Sequence, residues 1–146
     1  MTQVECIQVS YDCAGKGDVI VLLHGWGGSI LSFKLVFDYL SRSYCVYALD
    51  FPGFGKSGIP SNVWGTEDYG NFVIGFLKIM QIERVHIIAH SFGGRAAIWL
   101  AANFPERINK VVLVDSAGIK PKRHIKYYIK VAIAKHGLDR IVVASC

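Results

Sequence analysis

Ser91 stands where a hydroxyl could do nucleophilic work. It follows the apolar run Val85-His86-Ile87-Ile88-Ala89-His90, and Phe92-Gly93-Gly94-Arg95 and a helical pattern come directly after it. Strand, sharp turn and helix with a serine at the apex is the geometry of a nucleophile elbow, which suits attack on a carbonyl carbon. Strand and helix nearly touch at such a turn, so the residues two positions to either side must be small. Ala89 and Gly93 fill those places, alanine standing where glycine is usual. The plainer alternative is an ordinary strand-to-helix turn with Ser91 as the N-cap.

A second stretch with chemical potential is His24-Gly25-Trp26-Gly27-Gly28-Ser29, after the β-branched and leucine run Val19-Ile20-Val21-Leu22-Leu23. Glycines crowded at the carboxyl end of a buried strand mark a backbone that bends tightly or approaches a ligand closely. The spacing is neither a dinucleotide fingerprint nor a P-loop. Trp26 either lines a pocket or covers the core edge. A third glycine-rich loop, Asp50-Phe51-Pro52-Gly53-Phe54-Gly55-Lys56-Ser57-Gly58, follows the strand Tyr44–Leu49. Its Gly-Lys-Ser lacks the spacing of a phosphate loop. Asp50 at a strand end reads as a turn-fixing carboxylate rather than an acid catalyst.

These loops need a scaffold, and the rest of the chain supplies one. Glu5–Tyr11 alternates with period two and reads as one half-buried strand near a sheet edge. Phe33, Val36, Phe37 and Leu40 predict a helix over 31–41. Thr66 is placed to cap a helix with Glu67 and Asp68 in its first turn and Phe72, Val73, Phe76, Leu77 and Met80 on its buried stripe. Ala96, Ala97, Leu100, Ala101 and Phe104 follow the elbow at helical spacing, with alanines suggesting close approach to the sheet, and Pro105 ends that helix. Val111–Asp115 is one more buried strand, broken by Ser116-Ala117-Gly118. Apolar strands alternating with helices predict an α/β fold, a mostly parallel sheet with helices on both faces.

Composition bounds the function class. The 146 residues suit one domain, and 52% of them are hydrophobic, which excludes a disordered chain. The net charge of +5 is uneven: residues 1–115 hold nine Lys and Arg against ten Asp and Glu, residues 116–146 seven against one. The basicity belongs to the tail, so no nucleic-acid partner is expected. Cys6, Cys13, Cys45 and Cys146 show no Cys-x-x-Cys spacing and read as reduced and mostly packed, as in a cytoplasmic protein. No signal peptide opens the chain, and no apolar run approaches a membrane span. The tail carries Lys120-Pro121-Lys122-Arg123-His124, then Ile125, Tyr128, Ile129, Ala132 and Ile133 on one helical face. That helix is read as part of a lid in preference to a membrane-surface element.

Three motifs in order, Val21-Leu22-Leu23-His24-Gly25-Trp26-Gly27-Gly28, Leu49-Asp50-Phe51-Pro52-Gly53-Phe54-Gly55-Lys56-Ser57 and Ala89-His90-Ser91-Phe92-Gly93-Gly94, resemble the α/β-hydrolase superfamily, specifically its small lid-bearing esterase-like members. The resemblance covers residues 1 to about 130 and implies a hydrolase of an ester or similar carbonyl in a small-molecule substrate, with no metal or organic cofactor. It implies Ser91 as nucleophile and the backbone N–H groups of Phe92 and Trp26 as the oxyanion hole. It implies a structural His24, a variable His90, and a partial core over 1–118 followed by the start of a helical lid over 119–146. In that family the acid and the histidine follow the serine on loops after the last two strands. This chain is expected to stop short of those strands. His124 and His136 are the only histidines downstream of Ser91, and neither follows a sheet strand. Asp115 is a weak acid candidate; a loop-fixing role suits it better. A frameshift or premature stop near residue 135 is one reading of the poorly fitting last residues. The alternative function is a catalytically incompetent fragment or pseudoenzyme, a protein that binds a partner or self-associates through the exposed edge strand at 111–115.

Overall fold

The computed structural model describes residues 2–4 and 6–117. The expected lid helix, the strand-like run at 141–144, His124, His136 and the boundary between core and lid all lie outside the described residues.

Strands β1 (Thr2–Val4) and β2 (Ile7–Val9) form a small antiparallel hairpin. The main sheet holds β3 (Tyr11–Ala14), β4 (Val19–Leu23), β5 (Cys45–Leu49), β6 (Val85–His90) and β7 (Ile108–Val114), in the order β3-β5-β4-β6-β7. Only β3 runs antiparallel to its neighbour; β4, β5, β6 and β7 are mutually parallel. Three helices join them: α1 (Lys34–Leu40), α2 (Thr66–Ile79) and α3 (Phe92–Asn103).

Period-two alternation sorts the strand residues between two cores. Val21, Leu23, Leu49, Val85, Ile87 and Ala89 face α2 and α3, where they meet Phe72, Val73, Phe76, Leu77, Ala96, Ala97 and Leu100. Ile20, Leu22, Val46 and Ala48 face the other way, toward Ile30, Phe33, Phe37 and Leu40. The alternating apolar faces thus give a sheet with helices on both sides. Ala96 and Ala97 of α3 lie fully buried against it, while Ala101 is only half-buried. Close approach extends to α2: a Cβ on Gly70 would sit 2.1 Å from the Trp99 ring.

The N-terminal strand differs from the sequence reading. The alternation over 5–11 is real, but the ladder breaks at Ser10. Its N–H donates to Ser57 Oγ at 2.9 Å, and its C=O accepts from Asp50 N at 3.0 Å. Those long-range bonds turn the chain from the hairpin into the main sheet. The α2 cap also differs. Gly65 occupies the N-cap, and its N–H donates to Asp68 Oδ2 at 2.7 Å, leaving Thr66 as the first helical residue. The three described cysteines are free but not mostly packed, because Cys6 and Cys13 are exposed and Cys45 is half-buried. Cys6 sits in the two-residue hairpin turn with φ 67°, and Cys13 on the edge strand β3.

Chain growth reverses between β5 and β6, since β4 lies between β5 and β6. Ligands in open α/β sheets bind at the carboxyl ends of the strands beside such a switch point. Those ends belong here to Leu23 and Ala89, which are register partners. Strand β7 is the far edge among the described residues, with Val112 51% and Val114 45% exposed.

Candidate active site

Ser91 lies between β6 and α3 with φ 47° and ψ −111°. A non-glycine residue rarely holds such angles, and it does so only where its surroundings over-determine it. Here they do: Ser91 N–H donates to Val114 O at 3.0 Å, and Ser91 C=O accepts from Gly94 N and Ala117 N, both at 3.0 Å. The side chain does not cap α3. Among the described residues Ser91 Oγ has no hydrogen-bond partner, so the N-cap alternative loses its physical basis.

The two glycines after the elbow are steric requirements. A Cβ on Gly93 would meet Leu23 O at 2.3 Å and His24 O at 2.8 Å, and one on Gly94 would meet Ser116 Oγ at 2.0 Å. Helix α3 therefore starts pressed against the end of β4. Phe92, as its first residue, has an N–H with no acceptor inside the helix, and the helix dipole adds partial positive charge there.

The loop after β4 crosses directly over the elbow. A Cβ on Gly25 would come within 3.2 Å of Ser91 Cβ and 2.9 Å of His90 Nδ1. Gly28 N donates to Gly25 O at 3.0 Å, closing a tight turn whose third residue, Gly27, has φ 72°. That φ is glycine territory. Trp26 is the second residue of the turn, and its N–H has no backbone acceptor among the described residues. The loop thus carries one amide and α3 another that take no acceptor among the described residues.

Two buried polar residues hold this loop. Phe51 N–H donates to His24 Nε2 at 2.9 Å, so that nitrogen carries no proton. The proton sits on Nδ1, which donates to Gly25 O at 2.8 Å. His24 is therefore a neutral strut between the two glycine loops, as the resemblance implied for its position. Asp50 is 3% exposed; its Oδ1 accepts from Ile30 N at 2.7 Å and its Oδ2 from Lys56 N at 2.9 Å. It fixes turns on both sides, as expected of it.

Burial pushes the His24 imidazole below its ordinary range, and the bond to Gly25 O and the nearby Asp50 oppose that only in part. Unfolding returns His24 to an ordinary pKa near 6.5, so below that value the unfolded chain takes up a proton that the folded chain refuses. The stabilisation is full above about pH 6.5 and is lost as pH falls through the depressed folded value. Thermal melts between about pH 7.5 and about pH 5 are expected to show a falling midpoint, and His24→Gln is expected to flatten that dependence. Equal slopes for both chains would contradict this role.

Trp26 is 70% exposed, and its ring packs edge-on against Phe54 at 4.9 Å and Phe92 at 5.3 Å. It lines a cavity of about 380 Å³ with Phe33, Val36, Ile88, His90 and Val114, and through Phe54 and Phe92 it also covers the core edge, so both readings of this residue describe it. Asp115 lies just past β7 with φ 44°, exposed, in the turn that brackets Ser91. Its expected loop-fixing bond is absent among the described residues. Backbone bonds from Ser91 to Val114 and Ala117 fix that turn instead. Sequence reasoning missed this bracket, because Val114 and Ala117 act through backbone atoms that leave no side-chain signal.

Among the described residues no group of three or more His, Cys, Asp or Glu side chains is placed to hold a metal ion. None of the described helices is long and apolar enough to cross a membrane.

A family model described as alpha/beta hydrolase fold matches residues 18–131. The chain is 31% identical over 117 residues to the 2-hydroxy-6-oxo-2,4-heptadienoate hydrolase of Pseudomonas putida, covering 77% of this chain and 42% of that protein. It is 32% identical over 131 residues to an uncharacterized hydrolase of Bacillus subtilis, covering 82% of this chain and 48% of that one. Among solved structures, a bacterial membrane phospholipase A superposes with a TM-score of 0.80 at 28% identity, over 91% of this chain and 44% of that chain. The chain spans less than half the length of each of these proteins.

Proposed function

Because the chain belongs to the α/β-hydrolase family, we propose that Ser91 is the nucleophile of a hydrolase acting on an ester or similar carbonyl in a small molecule. The observation that carries this reading is the strained Ser91 backbone, which holds an Oγ uncommitted to any described residue beside two free amides. In the reaction Ser91 Oγ adds to the carbonyl carbon, and the N–H groups of Trp26 and Phe92 receive the charge that develops on oxygen. Such preorganised donors are commonly the largest single catalytic contribution. A base must take the serine proton and return it to the leaving group, and water then releases the acyl group. The Pseudomonas putida relative is a hydrolase of a 6-oxo compound, which supports a carbonyl as the shared target. Asp115, next to the Ser91 bracket, is the weak candidate for the acid that orients the base.

A second reading rests on one observation: no histidine or carboxylate among the described residues bonds to Ser91 Oγ. Under it, the chain as it stands binds or self-associates, through the open β7 edge, without turnover.

One experiment separates the two. The full chain is resolved by size, and each fraction is treated with a fluorophosphonate probe and weighed intact. A single adduct that disappears in Ser91→Ala is expected if Ser91 is activated, and its presence only in oligomeric fractions would assign the base to a second copy. No adduct on folded chain in any fraction would overturn the hydrolase reading for this polypeptide and favour the second.

A further inference from the structure

On the outer edge of the sheet, away from Ser91, two thiols and a phenol meet. Strand β3 pairs with β5 so that Cys13 lies opposite Tyr47 and Tyr11 opposite Leu49. Side chains alternate between faces with period two, so Cys45, two residues before Tyr47, shares its face and is the diagonal neighbour of Cys13. The register therefore sets Cys13 beside Tyr47 and Cys45 on one face of the β3–β5 ladder, and both neighbours act on the Cys13 thiol. Cys13 is exposed and Cys45 half-buried, and both are free thiols. Strand β3 has only β5 as a neighbour among the described residues, so it can shift without breaking a second ladder.

We propose that Cys13 and Cys45 are a paired-thiol modification site that closes to an intrachain disulfide when it meets a small-molecule disulfide. A disulfide needs its two Cα atoms within about 7 Å, and diagonal cross-strand neighbours sit close to that limit. A small movement of the β3 edge completes the approach. The Cys13 thiolate attacks one sulfur of the small disulfide, and the other sulfur leaves as a thiolate and takes a proton. The Cys45 thiol then loses its proton and attacks Cys13 Sγ, expelling the second small thiol. The two cysteines lose two electrons between them, and the small disulfide gains both as two thiols.

Although Cys13 is exposed, partial desolvation of its thiol by the neighbouring side chains raises it above its ordinary range, with Cys45 adding to the rise and Tyr47 opposing it. The first step therefore speeds up as pH rises, since the thiolate is the attacking species. Closure ties β3 covalently to β5, and β5 runs directly into Asp50, whose carboxylate holds the loop over Ser91.

The test uses the full chain with Cys6→Ser and Cys146→Ser, so that only the pair remains. It is incubated folded with oxidised glutathione, then weighed intact and assayed for free thiols. The expected result is loss of both thiols, a mass lower by two hydrogens and no retained glutathione. Adding Cys45→Ser is expected to leave one glutathione held on Cys13, and adding Cys13→Ser to leave Cys45 reacting far more slowly. Three results would overturn the proposal: glutathione retained on Cys13 with Cys45 still free, both thiols untouched in excess oxidant at alkaline pH, or closure only in denaturant.

Discussion

Replacing Gly93 with alanine is expected to cost the chain most of its stability and to remove any reactivity Ser91 has. The added methyl would lie 2.3 Å from Leu23 O, well inside any allowed carbon–oxygen contact, and 2.8 Å from His24 O. Both atoms belong to backbone, so no side-chain rotation relieves the clash. Either α3 lifts off the sheet or the end of β4 retreats. The first unpacks Ala96, Ala97 and Leu100, all fully buried. The second breaks the pairing of Leu23 with Ala89 and drags His24 and the loop after it. A loss of about 3 kcal/mol or more is expected, at the upper end for overpacking because backbone must move. The control is Gly65→Ala, where the nearest atom to a new Cβ is 3.8 Å away. That change is expected to cost at most about 1 kcal/mol. Thermal denaturation of the two variants decides the matter, and equal midpoints would show that the elbow tolerates what its geometry forbids.

Asp50→Asn is expected to be nearly as damaging as Asp50→Ala. Both carboxylate oxygens accept backbone N–H groups, Ile30 at 2.7 Å and Lys56 at 2.9 Å, and the residue is 3% exposed. Asparagine supplies one acceptor and turns an NH2 group toward the other N–H. One bond is lost, and two donors are then forced together in a buried site. Each such failure costs about 1–3 kcal/mol, and bonds to a carboxylate are stronger than neutral ones. A total loss of about 3 kcal/mol is expected for either variant. Ile30 begins the 3₁₀ turn after the glycine loop, so Trp26 N–H loses its position as well. Slower fluorophosphonate labelling of the fraction that stays folded is the second readout. Near-complete rescue by asparagine would mean that only one of the two bonds matters.

Much of the site was legible in the sequence because its requirements are local. Ala89, Ser91, Gly93 and Gly94 announce a crowded turn through their sizes alone, and the apolar runs that became β4 and β6 carry their burial on their faces. The run that became β7 read as equally buried, but Val112 and Val114 lie exposed on the sheet edge. What was illegible depends on distant partners. The alternation of residues 5–11 continues smoothly through Ser10, and only Ser57 and Asp50 reveal the break there. Thr66 has better capping chemistry than Gly65, yet the Asp68 carboxylate reached the Gly65 N–H and set the helix start one residue earlier. The meeting of Cys13 and Cys45 depends on the β3–β5 register, which no spacing between cysteines encodes. Asp115 misled because an acidic residue at a strand end commonly ties its own loop, whereas here backbone atoms already do so.

Among the described residues, the backbone hydrogen bonds of Ser91 all go to residues that come after it in the chain. Its N–H is held by Val114 O, and its C=O by Gly94 N and Ala117 N. Strained backbone persists only while its surroundings enforce it. During synthesis β6 and α3 leave the ribosome well before Val114 and Ala117, and at that stage one side of the grip does not exist. Without those two partners the backbone bonds that enforce the strained Ser91 angles are incomplete. Docking of β7 completes the grip, so the strained Ser91 backbone is set only when a later strand takes its place in the sheet.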